Sequence, residues 1–193
     1  MSLFLYQTAS VLVIGNSMFP HLLSLHFLDV TVEFHGVGGS GIHYLEACYR
    51  MATGYHVVVL VSGWKDMSNG ISAHQLADRM GYVAHRISEL SWVEAAVIPS
   101  MWPKRYAAYN RRAMEYDVIL HSHFFRFPFI THWRWARRQT FRKNEGTHLN
   151  TTGYSQAISF LTALIIKAIH HTLWLGASNY RLVLCSSLNI APD

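Results

Sequence analysis

Charged side chains are scarce in this sequence: Asp, Glu, Lys and Arg make up 14% of its 193 residues, whereas hydrophobic residues make up 51%. A chain of this composition can bury a core, which excludes intrinsic disorder. Cysteine is scarce as well. Cys48 and Cys185 lack the C-x-x-C spacing of metal sites, and two cysteines are too few for a disulfide-rich secreted scaffold. We therefore expect one folded domain in a reducing compartment.

Long uninterrupted apolar runs are also lacking. The longest run, residues 157–174, is broken by polar and basic residues that include Thr162, Lys167, His170 and His171. This pattern favours a buried helix over a membrane span. The N-terminal residues 1–7 carry no positively charged side chain, so we expect no signal peptide. The sequence thus predicts a cytoplasmic protein with no membrane span.

Acidic residues are few in one segment. Residues 102–143 hold ten Lys and Arg against two acids, whereas the rest of the chain holds six against nine. The net charge of +5 is therefore a local surplus. It predicts an anionic partner or substrate at one place rather than a surface that coats nucleic acid.

Five short apolar runs predict the strands of a buried parallel sheet. They cover residues 10–15, 29–34, 56–62, 93–98 and 117–121. Stretches of helical length separate or follow them, at residues 18–27, 42–53, 72–91, 106–116 and 152–173. This alternation predicts an α/β protein, a three-layer α/β/α sandwich around a five-stranded parallel sheet. We assign residues 1–175 to a single domain and residues 176–193 to an extension of uncertain structure.

Small and polar residues follow each of the first three predicted strands, at residues 15–17, 36–41 and 62–66. Ligands bind at the carboxyl ends of parallel strands, so these three loops predict a site at one sheet edge. Ser17, between a strand and a helix, suits a nucleophile because helix N-terminal amides stabilise negative charge. Such a serine is more often simply an N-cap.

A second candidate lies just before the last predicted helix, where Glu145 comes three residues ahead of His148. The carboxylate can orient one imidazole nitrogen while the other faces a nucleophile. The alternative is a turn capped by Asn144 or Asn150, in which His148 has no role.

The three loops at residues 15–17, 36–41 and 62–66 and the segment from Glu145 to His148, taken in this order, resemble the conserved sequence blocks of the SGNH hydrolase family, also called GDSL-like esterases. The resemblance covers residues 10–168, and residues 99–110 and 141–153 are similar to the family's fourth loop and closing block. Within the family, the sequence is most similar to animal esterase-like domains often found in proteins encoded by retrotransposons. The resemblance implies hydrolysis of a small acyl or lipid ester, without a metal or other cofactor.

The resemblance also implies roles for individual residues. Ser17 matches the nucleophile, His148 the general base and Glu145 the acid. The backbone amides of Ser17 and Gly39 match part of the oxyanion hole, which stabilises the tetrahedral intermediate.

Three positions depart from the family pattern: Asn16 and Glu145 each replace a usual aspartate, and Lys65 replaces a usual asparagine. That asparagine would complete the oxyanion hole. Loss of such a donor costs about 10²–10³ in rate. The ammonium of Lys65 could replace it by reaching inward, and Asn69 is an alternative donor if the loop bends back.

Two more features have both a functional and a structural interpretation. His121 and His123 lack a nearby Cys or carboxylate cluster, so we expect them to line the site at the end of the fifth strand rather than to bind metal. Trp64, Met101 and Trp102 either wall an acyl pocket or belong to the core.

The last feature is a loop over residues 133–143 that interleaves aromatic and basic side chains, as surfaces that bind single-stranded nucleic acid do. The alternative is a solvated loop with aromatics packed on the core. The candidate RNA contacts are Arg137, Arg138, Arg142 and Lys143. A catalytically lapsed domain that binds nucleic acid or a protein partner is thus the alternative to an esterase.

Overall fold

A computed structural model of the chain describes residues 9–16, 30–101, 104, 106–124, 130–133 and 151–177. These residues form an α/β fold around one parallel sheet, as the sequence predicts. The helix expected at residues 18–27 and the extension beyond residue 177 lie outside the described residues.

In the described part of the chain, the sheet contains five strands in the order β2-β1-β3-β4-β5, and all four pairs are parallel. The strands are β1 (Ala9–Asn16), β2 (Val30–Val37), β3 (Val57–Val61), β4 (Ala95–Pro99) and β5 (Ile130–Trp133). In the register, Val11 lies between Val32 and Val57. Because all strands run in one direction, their carboxyl ends meet at a single edge.

The burial of each strand follows from its place in the sheet. Every residue of β3 and β4 is buried, which explains their continuous apolar sequences. Strand β2 lies at the edge and alternates between half-buried and exposed side chains over residues 30–35. The polar residues Thr31, Glu33 and His35 occupy its exposed positions.

Within the described residues, the helices are α1 (Ile42–Cys48), α2 (Trp64–Ser68), α3 (Ala73–Ser88), α4 (Ala107–Phe124) and α5 (Thr151–Ala177), and a short 3-10 helix (Tyr49–Ala52) follows α1. Ser72 caps α3 in a capping box with Gln75. Parallel crossovers are right-handed, so the connections from β2 through β5 place α1 to α4 on one face. Helix α5 packs against β3 and β4 on the other.

The prediction of a strand at residues 117–121 is wrong, because these residues form part of α4. The run Asp-Val-Ile-Leu-His is apolar enough for a strand. However, buried residues recur at helical spacing along the whole of α4: Tyr109, Ala113, Tyr116, Leu120 and Phe124. The fifth strand is Ile130–Trp133 instead. His121 and His123 are exposed in the last turn of α4, so they do not follow a strand as predicted.

Helix α5 supplies a further part of the core. Its buried hydrophobic residues over residues 151–170 are Ala157, Leu161, Leu164, Ile165 and Ile169. Over Thr151–His170 the helix is also long and apolar enough to cross a membrane, with a mean hydropathy of 1.2 and a third of the segment buried. Core helices of soluble proteins share these properties, so the absence of a membrane span stays a prediction.

Candidate functional site

The predicted site residues fall into two groups. Gly39 and Lys65 are described, whereas Ser17, Glu145 and His148 lie outside the described residues. The triad therefore stays a prediction. The basic residues at 137, 138, 142 and 143 also lie outside the described residues.

The loop after β2 is attached to the end of β1. Gly39 has a φ of +67°, a left-handed conformation that glycine adopts easily. The backbone N–H of Ser40 donates to the Val37 carbonyl at 3.0 Å. The buried Ser40 hydroxyl donates to the Gly15 carbonyl at 3.3 Å. Ser40 thereby holds the second loop two residues from the position of Ser17, and it is a site residue that the sequence analysis missed.

The loop after β3 turns at Gly63 and continues into α2. Gly63 has a φ of +103°, and a Cβ atom there would lie 2.5 Å from Cε of Met101. Trp64 is 3% exposed and Met101 is 4% exposed. Both are core residues, which favours the structural interpretation over an acyl pocket. Trp102 lies outside the described residues.

Asp66 joins the third loop to the second. Its carboxylate is buried, and Oδ2 accepts a hydrogen bond of 2.8 Å from the backbone N–H of Ile42, the first residue of α1. Gly41, the residue before α1, supplies no side-chain cap. A Cβ on Gly41 would lie 2.5 Å from Oδ1 of Asp66. Asp66 therefore caps a helix from another part of the chain, and a glycine leaves room for it.

We expect Asp66→Ala to lower the free energy of unfolding by about 1–3 kcal/mol, because the buried Ile42 amide loses its acceptor. Urea unfolding followed by circular dichroism measures the change. The matched control is Asp78→Ala, which removes an exposed carboxylate of α3. An equal effect of the two substitutions would contradict the capping role of Asp66.

The structure brings Lys65 and Gly39 together across these two loops. A Cβ atom on Gly39 would lie 3.7 Å from Nζ of Lys65. The Lys65 side chain is exposed, and it forms no ion pair with any described carboxylate. A cationic group thus stands beside the backbone of the second loop, at the edge where ligands of parallel sheets bind.

Another lysine, Lys104, lies at this edge and, unlike Lys65, it is buried. No feature of the sequence indicated its burial. Lys104 is 6% exposed, and its ammonium lies 2.7 Å from Oγ of Ser68 and 4.6 Å from the ring centroid of Tyr109. Burial lowers the pKa of Lys104. Asn110 holds the lysine backbone with two hydrogen bonds of 2.7 Å, one to its N–H and one to its carbonyl. The loop after β4 is therefore fixed to α2 and α4.

Metal binding finds no support within the described part of the chain. There, no group of three or more His, Cys, Asp or Glu side chains is placed to hold a metal ion.

No protein-family model and no curated protein matches the sequence. Solved structures are nevertheless similar in fold. A member of the lipolytic protein G-D-S-L family from Veillonella parvula DSM 2008 superposes with a TM-score of 0.61 at 13% identity, covering 82% of this chain and 97% of the other.

Two esterases are similar to a comparable degree. An acetyl esterase crystallised with an acetate ion has a TM-score of 0.62 at 10% identity, covering 84% of this chain and 98% of its own. The psychrotrophic esterase EstA from Pseudoalteromonas sp. has a TM-score of 0.57 at 11% identity, covering 87% and 99%. At these identities the likeness shows a shared fold, which is the three-layer fold that the sequence predicts.

Proposed function

We propose that the chain is a serine esterase of the SGNH type, which cleaves a small acyl or lipid ester through Ser17, His148 and Glu145. The observation that carries the proposal is that the second and third loops meet beside the end of β1. Ser40 attaches the second loop to Gly15, and Lys65 reaches the second loop at Gly39. Position 17 lies two residues after Gly15 in the sequence and directly follows Asn16, the last residue of β1.

The proposed reaction is acyl transfer to water. His148 takes the proton of Ser17, whose oxygen attacks the ester carbonyl, and the alcohol leaves with that proton. Water then releases the acyl group by the same steps. Glu145 keeps the imidazole in the tautomer that accepts the proton.

We further propose that Lys65 takes part in the oxyanion hole. The backbone amides of Gly39 and Ser17 supply two donors, and the Lys65 ammonium supplies a charged one in place of the family's asparagine. A lysine is long, but its Nζ atom lies close to the Gly39 backbone. It therefore does not extend past the second loop.

The fold neighbours support an ester as the substrate class, because they include an acetyl esterase and members of the G-D-S-L lipolytic family. Two narrower proposals rest on the sequence alone. One is the closer likeness to esterase-like domains of retrotransposons, and the other is a cytoplasmic location. No observation among the described residues favours the alternative of a lapsed domain that binds RNA, which stays a prediction.

Hydrolysis of p-nitrophenyl acetate by the full-length chain tests the proposed function. We expect turnover above the buffer rate, and a fluorophosphonate probe that stops it and is recovered on the peptide containing Ser17. A folded protein without turnover and without label on that peptide would overturn the esterase proposal.

The proposed role of Lys65 has its own test. We expect Lys65→Met to lower kcat by about 10²-fold with little change in KM, because an oxyanion donor acts mainly in the transition state. Lys65→Asn restores the family residue, and we expect it to be slower than wild type. Arg111→Met, which removes an exposed cation of α4, is the control. A rise in kcat in Lys65→Asn would show that Lys65 hinders hydrolysis.

A further inference from the structure

We propose that Ser68 and Lys104 form a second nucleophilic pair, in which the Ser68 hydroxyl takes up an acyl or phosphonyl group from an activated ester and Lys104 accepts its proton. The pair is separate from the proposed Ser17 site and does not depend on it.

Ser68 is accessible from solution, whereas Lys104 is not. Ser68 is the last residue of α2, and its side chain is exposed, whereas Lys104 lies buried behind it. The distance between Ser68 Oγ and Lys104 Nζ is 2.7 Å. An ester in solution can therefore reach the hydroxyl, while the amine is shielded and positioned to receive a proton. Serine and lysine act together in this way in one class of serine hydrolases.

The surroundings of Lys104 favour its neutral form. No carboxylate among the described residues lies within 4.0 Å of its ammonium. Among the described residues, the hydroxyl of Ser68 from α2 and the ring of Tyr109 from α4 face it. Burial without a counter-ion favours the neutral amine and lowers the pKa of Lys104. A neutral amine is the form that can act as a base.

Ser68 and Lys104 are both held in position by hydrogen bonds. Asn110 binds both the N–H and the carbonyl of Lys104, so the lysine backbone is held from α4. Ser68 is held as well, since its hydroxyl donates to the Trp64 carbonyl at 2.7 Å. Both members of the pair therefore start from a fixed geometry, which lowers the entropic cost of the reaction.

The proposed reaction moves one proton from the Ser68 hydroxyl to Lys104 and then to the leaving group. In the ammonium form, Lys104 donates to Ser68 and Ser68 donates to the Trp64 carbonyl. In the neutral form, the hydroxyl rotates and donates to the amine. The serine oxygen then bonds to the carbonyl carbon or phosphorus of the activated ester. The bond to the leaving group breaks, and the leaving group takes the proton from Lys104.

The surroundings favour a single modification over turnover. The amides that follow Ser68 already have acceptors: Asn69 donates to the Lys65 carbonyl at 2.8 Å, and Gly70 donates to the Met67 carbonyl at 3.4 Å. Neither is free to stabilise an oxyanion, and such donors are needed for efficient release of an acyl group. We therefore assign the pair as a covalent acceptor site.

The test is fluorophosphonate labelling of the full-length Ser17→Ala chain, with the modified residues located by mass spectrometry. Ser159 is an internal control, because it is exposed, lies in a helix and donates to the carbonyl four residues earlier at 3.0 Å, as Ser68 does. We expect Ser68 to react about 10²-fold faster than Ser159. Equal rates would overturn the proposal, whether or not the protein is an esterase.

Two variants test whether Lys104 acts as a base or only as a positive charge. Lys104→Met removes the amine, and Lys104→Arg keeps a charge that cannot act as a base at neutral pH. We expect both to bring the labelling rate of Ser68 down to that of Ser159. Unchanged labelling in Lys104→Arg would overturn the role of the amine. Circular dichroism establishes whether each variant is folded, and if neither is, the comparison of Ser68 with Ser159 in the chain with Lys104 intact decides.

Discussion

Ser17→Ala is expected to lower kcat for p-nitrophenyl acetate by about 10³-fold or more, the loss seen when the nucleophile of a serine hydrolase is removed. Alanine has no hydroxyl to attack the ester, but it fits wherever serine fits. The link between Ser40 and the Gly15 carbonyl uses no atom of Ser17. The oxyanion donors should therefore survive, and a small residual rate over water should remain. Steady-state kinetics and circular dichroism measure the two effects separately.

A double variant strengthens this test. Residues of one triad act as a unit, so Ser17→Ala combined with His148→Ala should be no slower than Ser17→Ala alone. Ser159→Ala, at an exposed position of α5, should retain the wild-type kcat. Turnover in Ser17→Ala equal to that of the wild type would remove Ser17 from the reaction.

The largest effect on stability is expected from Gly15→Ala. Gly15 lies opposite Val61 where β1 pairs with β3. A Cβ atom on Gly15 would lie 1.8 Å from the Val61 carbonyl oxygen and 2.6 Å from its carbonyl carbon. These are backbone atoms of a buried central strand, so they cannot turn aside as a flexible side chain can. We expect a loss of about 3 kcal/mol or more in the free energy of unfolding.

Urea unfolding measures that loss, and Gly81→Ala in α3 is the matched control. A Cβ on Gly81 would meet the Phe124 ring at 3.6 Å, an ordinary contact. Because alanine favours a helix over glycine by up to about 1 kcal/mol, Gly81→Ala should be neutral or stabilising. If Gly15→Ala were as stable as Gly81→Ala, the close approach of β1 to β3 would be contradicted.

The sequence predicts most of the sheet because buried parallel strands leave a strong signal. Residues 57–61 are five apolar residues in a row, and four of them are valine. The signal fails at residues 117–121, where the apolar residues Val118, Ile119 and Leu120 continue a helix that starts at Ala107. Local composition does not distinguish a buried strand from the buried face of a helix, so the neighbouring turns of α4 decide.

The position of the site is predictable from the direction of the strands rather than from their apolar composition. Loops that follow parallel strands lie at one edge of the sheet, so the sequence predicts that Gly39 and Lys65 lie near each other, and the structure places Nζ of Lys65 beside the Gly39 backbone. The surroundings of Lys104 could not be predicted. Its burial depends on where Asn110, Tyr109 and Ser68 lie in three dimensions, and a single lysine between Pro103 and Arg105 has no periodicity to reveal it.

The order of strands in the sheet also bears on how the chain folds. Strand β1 pairs with β2, where Ala9 lies opposite Val30, and with β3, where Val11 lies opposite Val57. Just before β3, Ser10 contacts His56 across 46 positions of sequence. None of these pairings is a local hairpin, so each requires the closure of a long loop, which slows folding. The ends of β1 and β3 that border the candidate site therefore come together only when these two strands have paired, and a growing chain has no such edge until β3 has been made.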